Sequence, residues 1–149
     1  MSASRWGVGV LDFWFALAPR QWWTPDEALD SECRDRFEEL WAEQRRLPST
    51  SFLGSAEDSL AAVILFDQIP RNIFRGHADQ FSTDPLALAI AKDAIDRGFD
   101  EQFGQPRRGF MYMPFQHSED IAEQRRSLLL FNALGDPEQL SFARKHYDV

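Results

Sequence analysis

Apolar residues recur along this chain at the spacing of a helical face, and nowhere do they alternate with polar ones for long enough to make a strand. Val10, Phe13, Trp14 and Leu17 follow the i, i+3, i+4, i+7 pattern, and Pro19 stops the run. Thr24-Pro25-Asp26-Glu27 reads as a capping box with proline at the first helical position. It opens a helix to about Arg46 with Cys33, Phe37, Leu40 and Trp41 as its apolar stripe. Pro48 to Gly54 reads as a loop. Ser55 caps a further helix in which Leu60, Val63, Ile64 and Asp67 share a face. Its interior, Leu60 to Phe66, is apolar nearly all round, which predicts a centrally buried helix with Asp67 at its C-terminal end.

Asp84-Pro85 starts the next helix, through Leu86, Ala89, Ile90 and Ala94, and Gly98 closes it. After a short turn from Asp100 to Phe103, Ser118 is expected to cap a long helix with Glu119 and Asp120 in its first turn, where acids oppose the dipole's positive end. Gly135 ends it, and Asp136-Pro137 begins a last helix that runs to Val149. The fold class read from this pattern is all-α, one domain over residues 1–149. Short loops make consecutive helices antiparallel pairs, arranged as a tetratricopeptide-repeat-like array or a compact bundle.

A net charge of -8 excludes general nucleic-acid binding, which needs a basic face to displace counterions. Arg45-Arg46, Arg107-Arg108 and Arg125-Arg126 read as solvated pairs. The lone cysteine, Cys33, rules out an intramolecular disulfide and a multi-cysteine metal site, and its place on an apolar stripe marks an inert core thiol. The apolar stretch after Met1 is broken by Asp12 and is too short to span a membrane or direct export. A cytoplasmic protein without membrane partners is expected.

Chemistry concentrates in two polar islands, Asp67 to Arg75 and Tyr112 to Asp120, each beside a proline that ends or bends a helix. A bend at Pro70 turns Arg71, Asn72 and Arg75 toward one concavity, where two guanidiniums can clamp a carboxylate or phosphate. The competing reading is that Asp67, four residues before Arg71, pairs with it to staple helix ends. In the second island, Ser118, Glu119 and Asp120 fit an ordinary helix start, whereas nothing about capping requires His117. Tyr112 can supply a hydrogen-bonding wall to the same site. A single histidine beside Glu119 is not a zinc signature, so neither metal nor cofactor is expected. His77 sits in a turn and His146 near the chain end. The chain holds no Gly-rich phosphate loop, nucleophile elbow or paired-histidine motif.

The same segments carry a family resemblance. Leu65-Phe66-Asp67-Gln68-Ile69-Pro70-Arg71-Asn72-Ile73-Phe74-Arg75-Gly76 and Phe110 to Asp120 resemble the two signature segments of the bacterial domain-of-unknown-function 924 family. Val10 to Phe15 and Phe81 to Ala89 agree as well. The resemblance covers nearly the whole chain and implies a tetratricopeptide-repeat-like helical fold, with no settled activity. Family members usually continue into a Phe-Gly-Arg-Phe-Pro-His-Arg-Asn-like run that this chain lacks, so a C-terminally shortened chain is one expectation.

Three functional readings stay open. The first is a binding module with a groove lined by Asp67, Arg71, Asn72, Arg75, Tyr112, His117, Glu119 and Asp120, taking a small anionic ligand or an acidic or C-terminal peptide. The second is an enzyme with His117 as general base, Asp67 or Glu119 orienting it, and Arg71 stabilising negative charge. The third is a structural or assembly protein whose islands only join helices. The sequence is silent on oligomeric state.

Overall fold

Residues 4–135 are described by the computed structural model, and every regular element among them is helical. Helix α1 (Arg5–Phe15) is capped by Ser4, whose hydroxyl accepts from the Gly7 N–H, and it buries Val10, Leu11 and Trp14. Pro19 does more than stop this run. It opens a five-residue helix, α2 (Pro19–Trp23), too short to have a periodic signature. Helix α3 (Glu27–Gln44) starts later than the Thr24 capping box suggests. The Asp26 carboxylate caps it instead, accepting from the N–H groups of Ala28 and Leu29 at 3.0 and 3.1 Å. Pro48 to Gly54, read as a loop, includes a single 3₁₀ turn at Ser49–Phe52.

The apolar segment after Ser55 is the central element. Helix α4 (Ala56–Val63) passes into a π-helical turn (Ile64–Gln68) and then into α5 (Ile69–Ile73), with every residue from Leu60 to Pro70 buried. Instead of a break at Pro70, the widened turn just before it absorbs the missing donor: the Ile69 N–H bonds to the Ile64 carbonyl, five residues back. The Phe66 carbonyl, four residues before Pro70, accepts from the Thr83 hydroxyl at 2.7 Å. The Thr83 oxygen in turn accepts from Trp41 Nε1 at 3.1 Å. Side chains thus replace the backbone bonds that proline removes.

Helix α6 (Asp84–Asp96) ends at Gly98, whose φ of 76° is the left-handed conformation expected of that glycine. Helix α7 (Arg107–Gln116) was not legible as a helix in the sequence. It contains Pro114, and its residues from Gly109 to Gln116 are all buried. Helix α8 (Ile121–Leu134) is capped by Asp120, not Ser118, and ends at Gly135 with φ 73°. Helices α1, α6 and α7 pack on α4, α3 packs on α5, and α8 lies along α7. At the α1–α4 crossing a side chain on Gly7 would bring a Cβ within 2.9 Å of Asp58 Oδ1 and 3.1 Å of the Ser4 hydroxyl, so the carboxylate would have to move from the Ser4 N–H it accepts from. Cys33 is buried, as the apolar stripe implies, and burial pushes its thiol up to about 12. Among the described residues no helix is long and apolar enough to cross a membrane. The expected last helix and His146 lie outside the described residues.

Candidate functional site

The two polar islands meet. The π turn delivers Asp67, fully buried, to the end of α7, where its Oδ1 lies 2.8 Å from Nδ1 of His117. Burial works against the Asp67 charge. The His117 ring by charge and hydrogen bond, then Arg71 and the Gln68 amide, outweigh burial and hold the carboxyl below its usual range. An ionised carboxylate can only accept, so Nδ1 of His117 carries the shared proton. Gln68 Nε2 donates to the other oxygen, Oδ2, at 2.5 Å.

Arg71 is committed on two sides. Its Nη1 donates to the Asp67 backbone carbonyl, and its two terminal nitrogens grip the Asp84 carboxylate at 2.9 and 3.0 Å. The guanidinium stands 5.1 Å from the centre of the Phe81 ring. Burial alone would lower its pKa, but Asp67 and Asp84 raise it, and it stays charged. Burial pushes the Asp84 carboxyl up, and the Arg71 hydrogen bond and charge only partly offset that. Arg75 is likewise engaged. Its Nε and Nη2 donate to Asp30 Oδ2 and Oδ1 at 2.8 and 3.1 Å, and Asn72 Nδ2 donates to Asp30 Oδ1 at 2.9 Å. The expectation of two guanidiniums facing an open anion site is therefore corrected. Each is already met by a carboxylate in bidentate geometry.

Around this network lie two clefts that share His117 as a common wall. The first, of about 370 Å³, has Trp22, Trp23 and Met113 as its apolar lining. Gln68, Arg71, Asn72, Arg75, Gln116 and His117 are among its polar lining. The second, of about 460 Å³, runs between α6 and the turn before α8, with Asp84, Glu119 and Asp120 on its rim. Glu119 and Asp120 thus border the neighbouring space, and Asp120 is occupied as the α8 cap. Tyr112 belongs to neither. Its hydroxyl donates to Asp100 Oδ2 at 2.6 Å and accepts from Arg108 Nε at 2.8 Å, and these bonds tie α7 to the turn before it. Burial pushes this phenol up to about 12.

The sequence reading missed Trp22, Trp23, Met113, Gln68 and Gln116. The two glutamines stood inside the islands and could have been read from them. The tryptophans came from α2, whose brevity hid it. Among the described residues, no group of three or more histidine, cysteine, aspartate or glutamate side chains is arranged to hold a metal ion.

Residues 10–149 match the family described as bacterial protein of unknown function (DUF924). The fold is similar to a solved structure, that of the protein of unknown function ATU0120 from Agrobacterium tumefaciens. The TM-score is 0.88 and the identity 40%, over 96% of this chain and 81% of that one. No curated protein matches the chain.

Proposed function

The chain belongs to the DUF924 family of bacterial proteins, and we propose that it is a small-molecule-binding protein whose ligand enters the cleft between α2, α5 and α7. One observation carries this reading: the Asp67–His117 hydrogen bond joins both polar islands at the wall of a concavity that Trp22 and Trp23 also line. Indole walls that exclude water, facing a few fixed polar groups, are the usual composition of a ligand pocket. The volume suits a small molecule better than a peptide. Arg71 and Arg75 serve as rigid supports, since Asp84 and Asp30 fix their orientation. The buried cysteine fits a reducing compartment such as the cytoplasm.

A thermal-shift screen of metabolites against the wild type and Trp23→Ala tests the reading. Trp23 is 47% exposed but stacks on Phe110 at 5.6 Å, so far-UV circular dichroism of the variant first checks that the fold is kept. Compounds that stabilise the wild type and not the variant support the cleft. A screen in which no compound separates the two proteins rejects it.

A second reading rests on the same dyad. A buried carboxylate that fixes a histidine through Nδ1 directs the other ring nitrogen, Nε2, to proton transfer, the arrangement of a general base. Turnover of a bound compound that disappears in His117→Ala, with affinity retained, would make the protein an enzyme. Retained turnover in that variant would exclude His117 as the base.

A further inference from the structure

The ligand class can be narrowed from the cleft groups that are both accessible and uncommitted. Arg75 is one: its side chain is 41% exposed and lines the cleft. Asp30 engages a single edge of its guanidinium, Nε and Nη2. The N–H groups of Nη1 have no partner among the described residues. Because Asp30 grips the plane of the group at two points, the remaining edge is an oriented donor. Trp23 is the other. Phe110 stacks on one of its faces, with ring centres 5.6 Å apart and planes within 9°, so the opposite face is the uncovered one. Trp22 stands at 78° to it and is pinned through Nε1 to the Trp14 carbonyl at 3.0 Å. The charge balance disfavours an anion. Three carboxylates, of Asp30, Asp67 and Asp84, stand within 4 Å of the two guanidiniums. A further carboxylate would give up its hydration for positive charge that is already met.

Resting on the cleft reading above, we infer that the ligand is an uncharged aromatic ring bearing a carbonyl oxygen. The oxygen accepts from Arg75 Nη1, and the ring lies on the open face of Trp23, adding one layer to the Phe110–Trp23 stack. A hydrogen bond from a charged donor is strong even to a neutral acceptor. An indole face selects a flat ring over an aliphatic one of the same size, because only the flat ring can stack. At about 370 Å³ the cleft lies at the small end of ligand pockets, roughly 300–1,000 Å³, which favours a single ring system with short substituents.

Titration by ligand-observed NMR with benzamide, benzoate and cyclohexanecarboxamide tests the inference. Benzamide should bind about tenfold or more tighter than either comparator, since benzoate adds a charge and cyclohexanecarboxamide lacks the flat face. Arg75→Lys keeps a cation beside Asp30 and removes the second donor edge, so benzamide should weaken by about tenfold. The melting temperature should stay near that of the wild type, because a half-exposed ion pair contributes little to stability. Benzoate binding as tightly as benzamide would overturn the uncharged class. Equal binding of cyclohexanecarboxamide would overturn the stack, and benzamide binding unchanged in Arg75→Lys would overturn the assigned donor. Each of these leaves the cleft reading standing. If no probe binds while the metabolite screen still separates wild type from Trp23→Ala, the ligand class alone falls. If the screen fails as well, the cleft reading falls with it.

Discussion

Nδ1 of His117 and Oδ1 of Asp67 lie 2.8 Å apart across fifty residues of chain, and this one bond fastens the end of α7 to the π turn of the central helix. Asp67 is fully buried and His117 nearly so, with side-chain exposures of 0% and 14%. The bond is therefore shielded from the solvent screening that weakens surface pairs.

Asp67→Asn removes the charge to which His117, Arg71 and Gln68 are all oriented. Breaking a buried ionic network of this kind costs about 3 kcal/mol, which in a domain of this size lowers the melting temperature by roughly 10 °C. Differential scanning calorimetry measures the change. A variant that melts with the wild type would show that the network contributes nothing to stability.

The same variant carries a pH signature. The Asp67 pKa is lower in the fold than its ordinary value of 3.8, so the carboxylate contributes stability in full above that pH and loses it as pH falls through the lower folded value. The stability gap between wild type and Asp67→Asn should therefore close as pH falls below the ordinary value of 3.8 and through the lower folded value. Asp84 has the opposite sign. Its raised pKa costs stability at neutral pH, and the cost disappears as pH falls through the folded value toward the unfolded one. Urea denaturation of wild type, Asp67→Asn and Asp84→Asn at stepped pH reads the two effects separately.

Thr83→Val strands two buried groups at once, the Phe66 carbonyl beside Pro70 and the Trp41 indole N–H. The expected loss is about 3 kcal/mol, with Thr83→Ser recovering most of it because the hydroxyl is what matters. If valine proves as stable as threonine, the hydroxyl does not compensate for the proline.

Tyr112→Phe should lower stability by about 1 kcal/mol through the lost bridge between Asp100 and Arg108. Affinity for any compound held in the Trp22–Trp23 cleft should stay unchanged, since the phenol lies outside it. A calorimetric titration that showed weakened binding would return Tyr112 to the site.

Cys33, buried and with its thiol pushed up to about 12, should resist alkylation at pH 8 in the folded protein and react at once after unfolding in urea. Rapid labelling of the native protein would mean that α3 opens readily.

Much of this architecture could be read along the chain because its cause is local. Apolar residues at helical spacing bury one face, Gly98 and Gly135 supply the left-handed residues that end α6 and α8, and Ser55 offers the hydroxyl that starts α4. Elements with no full periodic face escaped: α2 is one turn and a half, and α7 reads as a polar island because its buried face is mixed. Had α7 been recognised, helix geometry would have separated its residues. Met113, Gln116 and His117 stand at i, i+3, i+4 on one face, whereas Tyr112 and His117, five residues apart, point about 140° away from each other.

Local spacing was enough to show that the described chain is helical, that α4 and α6 begin at Ser55 and Asp84, that α6 and α8 end at Gly98 and Gly135, and that Asp67, Arg71, Asn72, Arg75 and His117 cluster in two short segments. Their partners came from the packing of distant helices. Arg75 finds Asp30 from 45 residues away and Arg71 finds Asp84 from 13, so the guanidiniums face carboxylates of other helices and not an open anion site. Turn and cap chemistry is fixed by neighbours within four residues, but charge pairing depends on which helix faces pack together, and no local spacing encodes that.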